Sequence, residues 1–258
     1  MSRECWAKSL GDCGGGISRE HSLSQCVYPD QKVIVSGFDF CNGESKEIHI
    51  NSLTAKILCK DHNTRLGQQV DHVGGVIFSS IRAFAERRMQ QAEFPKLQWQ
   101  PIHYQIDARL LERWLLKVML GIGFGGKLII GAGQHEAGVV PLQLARIAFG
   151  LEEFPSGQGM YVAFKDKETF QLEDRFRYTA KSIGSNLLMG YFSIHGLRFY
   201  MNLEETGGPI YGSIEDSKVF YRQAHFTESS VDLNSPQAST ISALIRRPVS
   251  FTQKLSIS

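Results

Sequence analysis

Beyond residue 59 this chain of 258 residues has no cysteine, although five stand up to and including that point: Cys5, Cys13, Cys26, Cys41 and Cys59. An odd count, behind an N-terminus ("MSRECWAKSLGDC") that lacks the apolar core of a signal peptide, argues against a disulfide framework. No apolar run approaches the ~20 residues of a membrane helix, so a cytoplasmic protein without membrane attachment is expected. There is no internal repeat. Nor is there a surplus of either charge. The formal net charge of +2 neither requires nor excludes a nucleic-acid partner, because positive residues could gather in one patch. Apolar residues are not scarce: at 42% hydrophobic, a chain of this length can bury a core without covalent staples. The clustered cysteines therefore point to a local thiolate site, and His62 follows Cys59 at a ligand-like interval.

The expected fold class is α+β, with a small N-terminal unit over residues 1–73 and an α+β region of unassigned role over 74–258. "KVIVSGFDF" (32–40) alternates around a glycine like a strand, and "KEIHINS" (46–52) makes a second strand across the turn "CNGES". A helix is expected at about 60–72, giving a strand-turn-strand-helix block, and a second amphipathic helix follows a Gly-Gly break at 74–94, ending before Pro95. Its Arg82, Arg87 and Arg88 read as a solvated face. "DARLLERWLLKVMLGIG" (107–123) is a helix with Asp107 as N-cap and a wide apolar face. "PLQLARIAFG" (141–150) is a short helix opened by Pro and closed by Gly. Helices thus fill about 74–150. Residues 158–227 are β-rich and antiparallel, with His195-Gly196 as a turn, and a Ser-rich tail from about 228 is loosely ordered or packed as an extension.

Two distant stretches carry the chemistry. "ISREHSLS" (17–24) sets Glu20 beside His21 after a triple-glycine turn, and "LCKDHN" (58–63) sets Cys59, His62 and Asn63 within five residues. Cys5 and Cys13 with Cys59 and His62 can close a tetrahedral Zn²⁺ site, two ligands from each segment. The Cys5–Cys13 spacing is wide for a knuckle, and Cys26 or Cys41 could replace Cys13. A metal pinning the two segments would bring Glu20 and Asn63 together. A carboxylate and an amide make an incomplete oxygen site suited to Mg²⁺ or Mn²⁺, and His21 beside it is placed to deprotonate a water.

In this order the residues resemble the HNH endonuclease family, the zinc-containing branch of the ββα-metal nucleases, over about residues 5–66. The resemblance implies a ββα-metal domain hydrolysing phosphodiester bonds, with DNA as the expected substrate. His21 matches the general base, and Glu20 and Asn63 match the ligands of the catalytic ion. Asn51 in "INSLTAKILC" matches the asparagine that holds the loop and orients the base. Glu stands in place of the more frequent Asp, Asn in place of the last His, and the insertion between the strands is longer than in compact members. The spelling is similar to that of bacterial and phage-related proteins from antiviral or mobile-element settings. Residues 74–258 are long enough to add DNA contacts, form a homodimer interface or bind a regulatory partner. The competing class is a non-catalytic, zinc-stabilised module binding nucleic acid or protein.

Other motifs have plainer readings. "GIGFGGK" (121–127) has a phosphate-loop spacing but Leu128 stands where Ser or Thr would hold magnesium, so it reads as a helix exit. His135-Glu136 lies in a glycine-rich loop, and Trp114 reads as helix core.

Overall fold

The computed structural model describes residues 4–21, 32–36, 41–94, 104–133, 135–155, 157–164, 176–183, 186–194, 197–204, 219–222 and 254–257. In chain order these form β1 (Ile17–His21), β2 (Lys32–Ser36), β3 (Lys46–His49), β4 (Thr54–Cys59) and the 34-residue helix α1 (Lys60–Glu93). Then come β5 (Tyr104–Asp107), α2 (Ala108–Gly125), β6 (Ile129–Ile130) and α3 (Leu142–Ala148). The remainder is β7 (Gly159–Phe164), β8 (Phe176–Ile183), β9 (Asn186–Ile194), β10 (Leu197–Asn202), β11 (Val219–Arg222) and β12 (Lys254–Ile257). Both helices and mixed sheets are present, as the α+β expectation requires. Among the described residues no helix is long and apolar enough to cross a membrane.

β1 and β4 pair antiparallel, with Ile17 opposite Cys59 and His21 opposite Thr54, and a bulge falls between Ser18 and Glu20. β4 passes into α1 without a linker, Cys59 being both the last strand residue and the helix N-cap. The expected break at Gly74-Gly75 does not occur. The reason is tertiary: a Cβ on Gly74 would stand 2.6 Å from Trp114 Cε2, so the glycine lets the α2 indole lie against the α1 backbone. A residue that reads as a helix breaker is a site of close approach. The C-terminus of α1 does fall where expected, with Phe94 as C-cap before Pro95.

β2 and β3 form the anticipated antiparallel pair, yet they do not join β1 and β4 in one block. β2 instead runs parallel to β8, so the hairpin extends a large sheet of order β11-β7-β10-β9-β8-β2-β3, with β6 also paired to β9. That sheet is mixed, not wholly antiparallel, because β2–β8 and β6–β9 are parallel pairs. Its strands over 159–222 lie where β structure was expected, and Ile194 pairs with Leu197 across the His195-Gly196 turn, whose own residues lie outside the described ones. Most of the Ser-rich tail also lies outside them. Its described part, β12, pairs with β5.

α2 ties these parts together. Its first turn is capped by Asp107, whose Oδ1 accepts from the N–H of Arg109 at 2.9 Å and of Leu110 at 3.1 Å, as its sequence predicts. Leu111, Trp114, Leu115, Val118 and Met119 are fully buried in a core that also takes in Leu58 and Leu66 on one side and Phe192 and Phe199 on the other. The glycine-rich stretch 121–127 is its exit, with Gly126 as C-cap. Among the buried side chains of α2 two are charged, Glu112 at 5% and Lys117 at 3% exposed. A lysine there needs partners.

Candidate metal centre

Cys59 ends β4 with its backbone extended and its sulfur at the start of a helix, where it accepts from the N–H of His62 at 3.5 Å. The first turn of α1 sets His62 three residues on, so its ring returns to the same sulfur. The N-terminal segment is brought alongside by main-chain bonds: Trp6 N–H donates to Ile57 O at 2.8 Å, and Lys60 N–H to Gly16 O at 2.8 Å. Glycine is required in this loop at Gly15, where φ is +72° and a Cβ would lie 2.7 Å from Lys60 Cβ.

Cys5, Cys13, Cys59 and His62 consequently converge, their ligand atoms all within 4.8 Å of one another. His62 Nδ1 lies 3.4 Å from the sulfur of Cys5, 3.6 Å from that of Cys13 and 3.2 Å from that of Cys59. Zinc–sulfur and zinc–nitrogen bonds at the tetrahedral angle would separate S from N by about 3.6 Å. The donor set and its spacing therefore fit a metal ion such as zinc. Of the alternatives to Cys13, Cys41 is buried elsewhere with its thiol on Val35 O at 3.6 Å, and Cys26 lies outside the described residues.

The electrostatics favour the same conclusion. Burial pushes the Cys5 thiol up to about 12; burial raises Cys13 as well, the hydrogen bond with Cys5 opposing it and the neighbouring Cys59 and Asp12 adding to the rise. Cys59 also resists burial, but the backbone N–H groups of His62 and Gly14 and the thiols of Cys5 and Cys13 outweigh it and lower its pKa. Three sulfurs this close cannot ionise together without a cation between them. Burial, then the charge of Arg65, holds His62 below its usual value, so the ring is neutral near pH 7 with Nδ1 free of a proton. Its other nitrogen faces Asp12, with Nε2 3.1 Å from Oδ1, which fixes the tautomer that turns the Nδ1 lone pair to the sulfurs. Arg65 in turn donates to Asp12 Oδ2 at 2.8 Å and lies over the Phe149 ring at 4.9 Å. Phe149 meets the His62 ring edge-on at 5.3 Å and closes the cluster's apolar side together with Trp6.

The residues read from the sequence as catalytic lie on β1, in the turn before β4 and in the first turn of α1. His21 ends β1, half-buried, opposite Thr54. Asn51 is exposed in the 3-10 turn Ile50–Leu53; its N–H donates to His49 Nδ1 at 3.2 Å and its carbonyl accepts from Thr54 Oγ1 at 3.0 Å. Asn63 reaches from α1 to β1, its amide nitrogen donating to Ser18 Oγ at 3.0 Å and to Arg19 O at 3.1 Å. Glu20 is 5% exposed and forms an ion pair: Lys117 Nζ lies 2.6 Å from Glu20 Oε1 and 2.6 Å from Asp71 Oδ1. Burial raises the Glu20 carboxyl more than Lys117 lowers it, the single ammonium being shared with Asp71. Burial draws the Lys117 ammonium down, and the two carboxylates push it up by more.

Asp12, Arg65, Asp71 and Lys117 were not among the residues read from the sequence. A lysine inside a largely apolar helix face is a legible signal for the last. Asp12 offered only its place beside Cys13. Compared with known protein families, characterised proteins and solved structures, the chain has no significant match.

Proposed function

We propose that the chain is a metal-dependent endonuclease of the HNH type, hydrolysing phosphodiester bonds in DNA, with Zn²⁺ held structurally by Cys5, Cys13, Cys59 and His62. The observation that carries this reading is the tie of Asn63 to β1, directly before Glu20 and His21. An antiparallel strand pair running into a helix, clamped at the strand–helix junction by a Cys/His cluster, supports it. The Asn63 amide nitrogen is engaged as donor, which leaves its Oδ1 as the oxygen to offer a hard cation. In this reading Glu20, one residue beyond Arg19 on β1, supplies the carboxylate oxygen. His21 takes the proton from the attacking water, and Asn51 steadies the turn leading to the residue paired with His21. Mg²⁺ or Mn²⁺, when bound, supplies charge stabilisation at the phosphoryl group and the leaving oxygen.

One observation favours a second reading, a zinc-stabilised binding module without catalysis: Oε1 of Glu20 is already engaged by Lys117. Supercoiled plasmid incubated with Mg²⁺ or Mn²⁺ separates the two. The wild type is expected to nick it, and His21→Ala to be slower by at least ~10²-fold while keeping about one zinc per chain. Equal cleavage by both proteins, or none by either, overturns the catalytic reading. Cys59→Ser should lose the zinc in either case.

A further inference from the structure

A cavity of about 1010 Å³ opens on the exposed side of β4, between that strand and the exit of α2. Its lining carries three cations, Arg19, Lys56 and Lys127, all exposed. Against them the lining sets one acid, Glu4, which also forms an ion pair with Lys8. Phe124 adds an aromatic surface on the α2 side. The chain as a whole is nearly neutral at +2, so three cations facing one cavity are a local concentration, not a sample of the average surface.

The position is as informative as the charge. Thr54, which also lines the cavity, is the strand partner of His21, and Arg19 stands two residues before it on β1. The carbonyl of Arg19 is the one that receives the Asn63 amide. A ligand lying along the cavity would therefore run past the open end of the β1–β4 pair. Point cations spaced along a groove with an aromatic wall fit a polyanionic strand whose phosphates they neutralise and whose sugar or base faces the ring.

We infer that this groove binds the phosphate backbone of DNA and leads it to His21, with Lys56, Lys127 and Arg19 as the phosphate contacts. The choice of DNA and the role of His21 rest on the nuclease reading; the groove itself does not.

The test is fluorescence anisotropy of a labelled 20-base-pair duplex with the full zinc-loaded chain, without added divalent ion, between 50 and 200 mM salt. Removing two phosphate contacts in Lys56→Ala/Lys127→Ala should lower the slope of log K against log salt by about two and weaken binding about tenfold or more at 100 mM. Arg146→Ala, a cation on α3 paired with Glu152, serves as the comparison and should leave the slope unchanged. A slope unaltered in the double variant at full zinc content, an equal fall in Arg146→Ala, or no binding by the wild type overturns the groove assignment. The two readings fail separately. Loss of plasmid nicking in His21→Ala with an unaltered slope in the groove variant removes the groove alone. A reduced slope with His21→Ala cleaving like wild type removes the nuclease alone.

Discussion

Lys117→Met removes the cation from a buried cluster while keeping most of its stem. In the wild type one ammonium, 3% exposed, bridges Glu20 at 6% and Asp71 at 31%. Deleting one member of a buried ion pair typically costs about 3–5 kcal/mol, because the partner's charge is left without solvent or counter-ion. Here the cost has a ceiling. Asp71 can turn to water, and Glu20 can escape by taking up a proton. From an ordinary carboxyl value of 4.5, protonation at pH 7 costs about 3.4 kcal/mol, and at pH 5 about 0.7 kcal/mol. The loss of stability in Lys117→Met should therefore be about 3 kcal/mol at pH 7 and under about 1 kcal/mol at pH 5.

The sign follows from proton counting. In the variant the folded-state Glu20 value lies above the unfolded one, so between the two values the folded protein holds a proton that the unfolded chain does not, and stability falls as pH rises. Urea denaturation at fixed zinc excess measures this, with the fluorescence of Trp6 and Trp114, both buried, as reporter. Glu20→Gln/Lys117→Met, which leaves no buried charge at Glu20, should return to within about 1 kcal/mol of wild type. A single variant within about 0.5 kcal/mol of wild type at pH 7, or a loss that does not shrink towards pH 5, would refute the buried pair.

Gly74→Ala should destabilise by about 1 kcal/mol, reversing the gain of about 1 kcal/mol that alanine brings to an exposed helix interior, because the added methyl meets the fully buried Trp114 at 2.6–2.9 Å. In a Trp114→Phe background the same change should cost less or stabilise; thermal melts of the four proteins check both signs. Asp12→Ala should weaken zinc about tenfold in chelator competition, the low end for a carboxylate orienting a ligand histidine because Asp12 is exposed, and Asp12→Asn should weaken it less. Equal affinities across the three would mean that the Cys59 cap and the Phe149 ring alone fix the His62 ring.

What the sequence made legible was local. The Asp107 cap and the apolar face of α2, the Pro-to-Gly frame of α3 and the β2–β3 pairing all rest on neighbours within a few residues, and they stand in the structure. The Cys/His set was legible because thiols crowded into one segment have few bland explanations. What failed depended on distant partners. Gly74-Gly75 cannot be told from a break without knowing that Trp114, forty residues on, lies against it. Alternation marks β2 as a strand but carries no sign that β8, some 140 residues later, will be its parallel neighbour. β5 and β12, four residues each and separated by most of the chain, have no pattern of their own. Lys117 is the instructive case: its burial was implied by the face it sits on, and a buried lysine implies acids, yet which acids only the fold decides.

That choice bears on the proposed chemistry. Glu20, Asp71 and Lys117 together carry a net charge of −1, and Asn63 adds none. In the proposed reading Glu20 thus answers to two cations, one built into α2 and one brought from solution. A single surplus negative charge and a neutral amide make a weak site for a hard divalent ion, which ordinarily takes several oxygen ligands, carboxylates prominent among them. The missing charge and oxygens would have to come from elsewhere, and the phosphate of a strand lying along the proposed Arg19–Lys56–Lys127 groove would supply both. Metal and DNA would then bind as partners, each completing the site for the other. Free ion would bind poorly, and the chemistry would be confined to the bound strand.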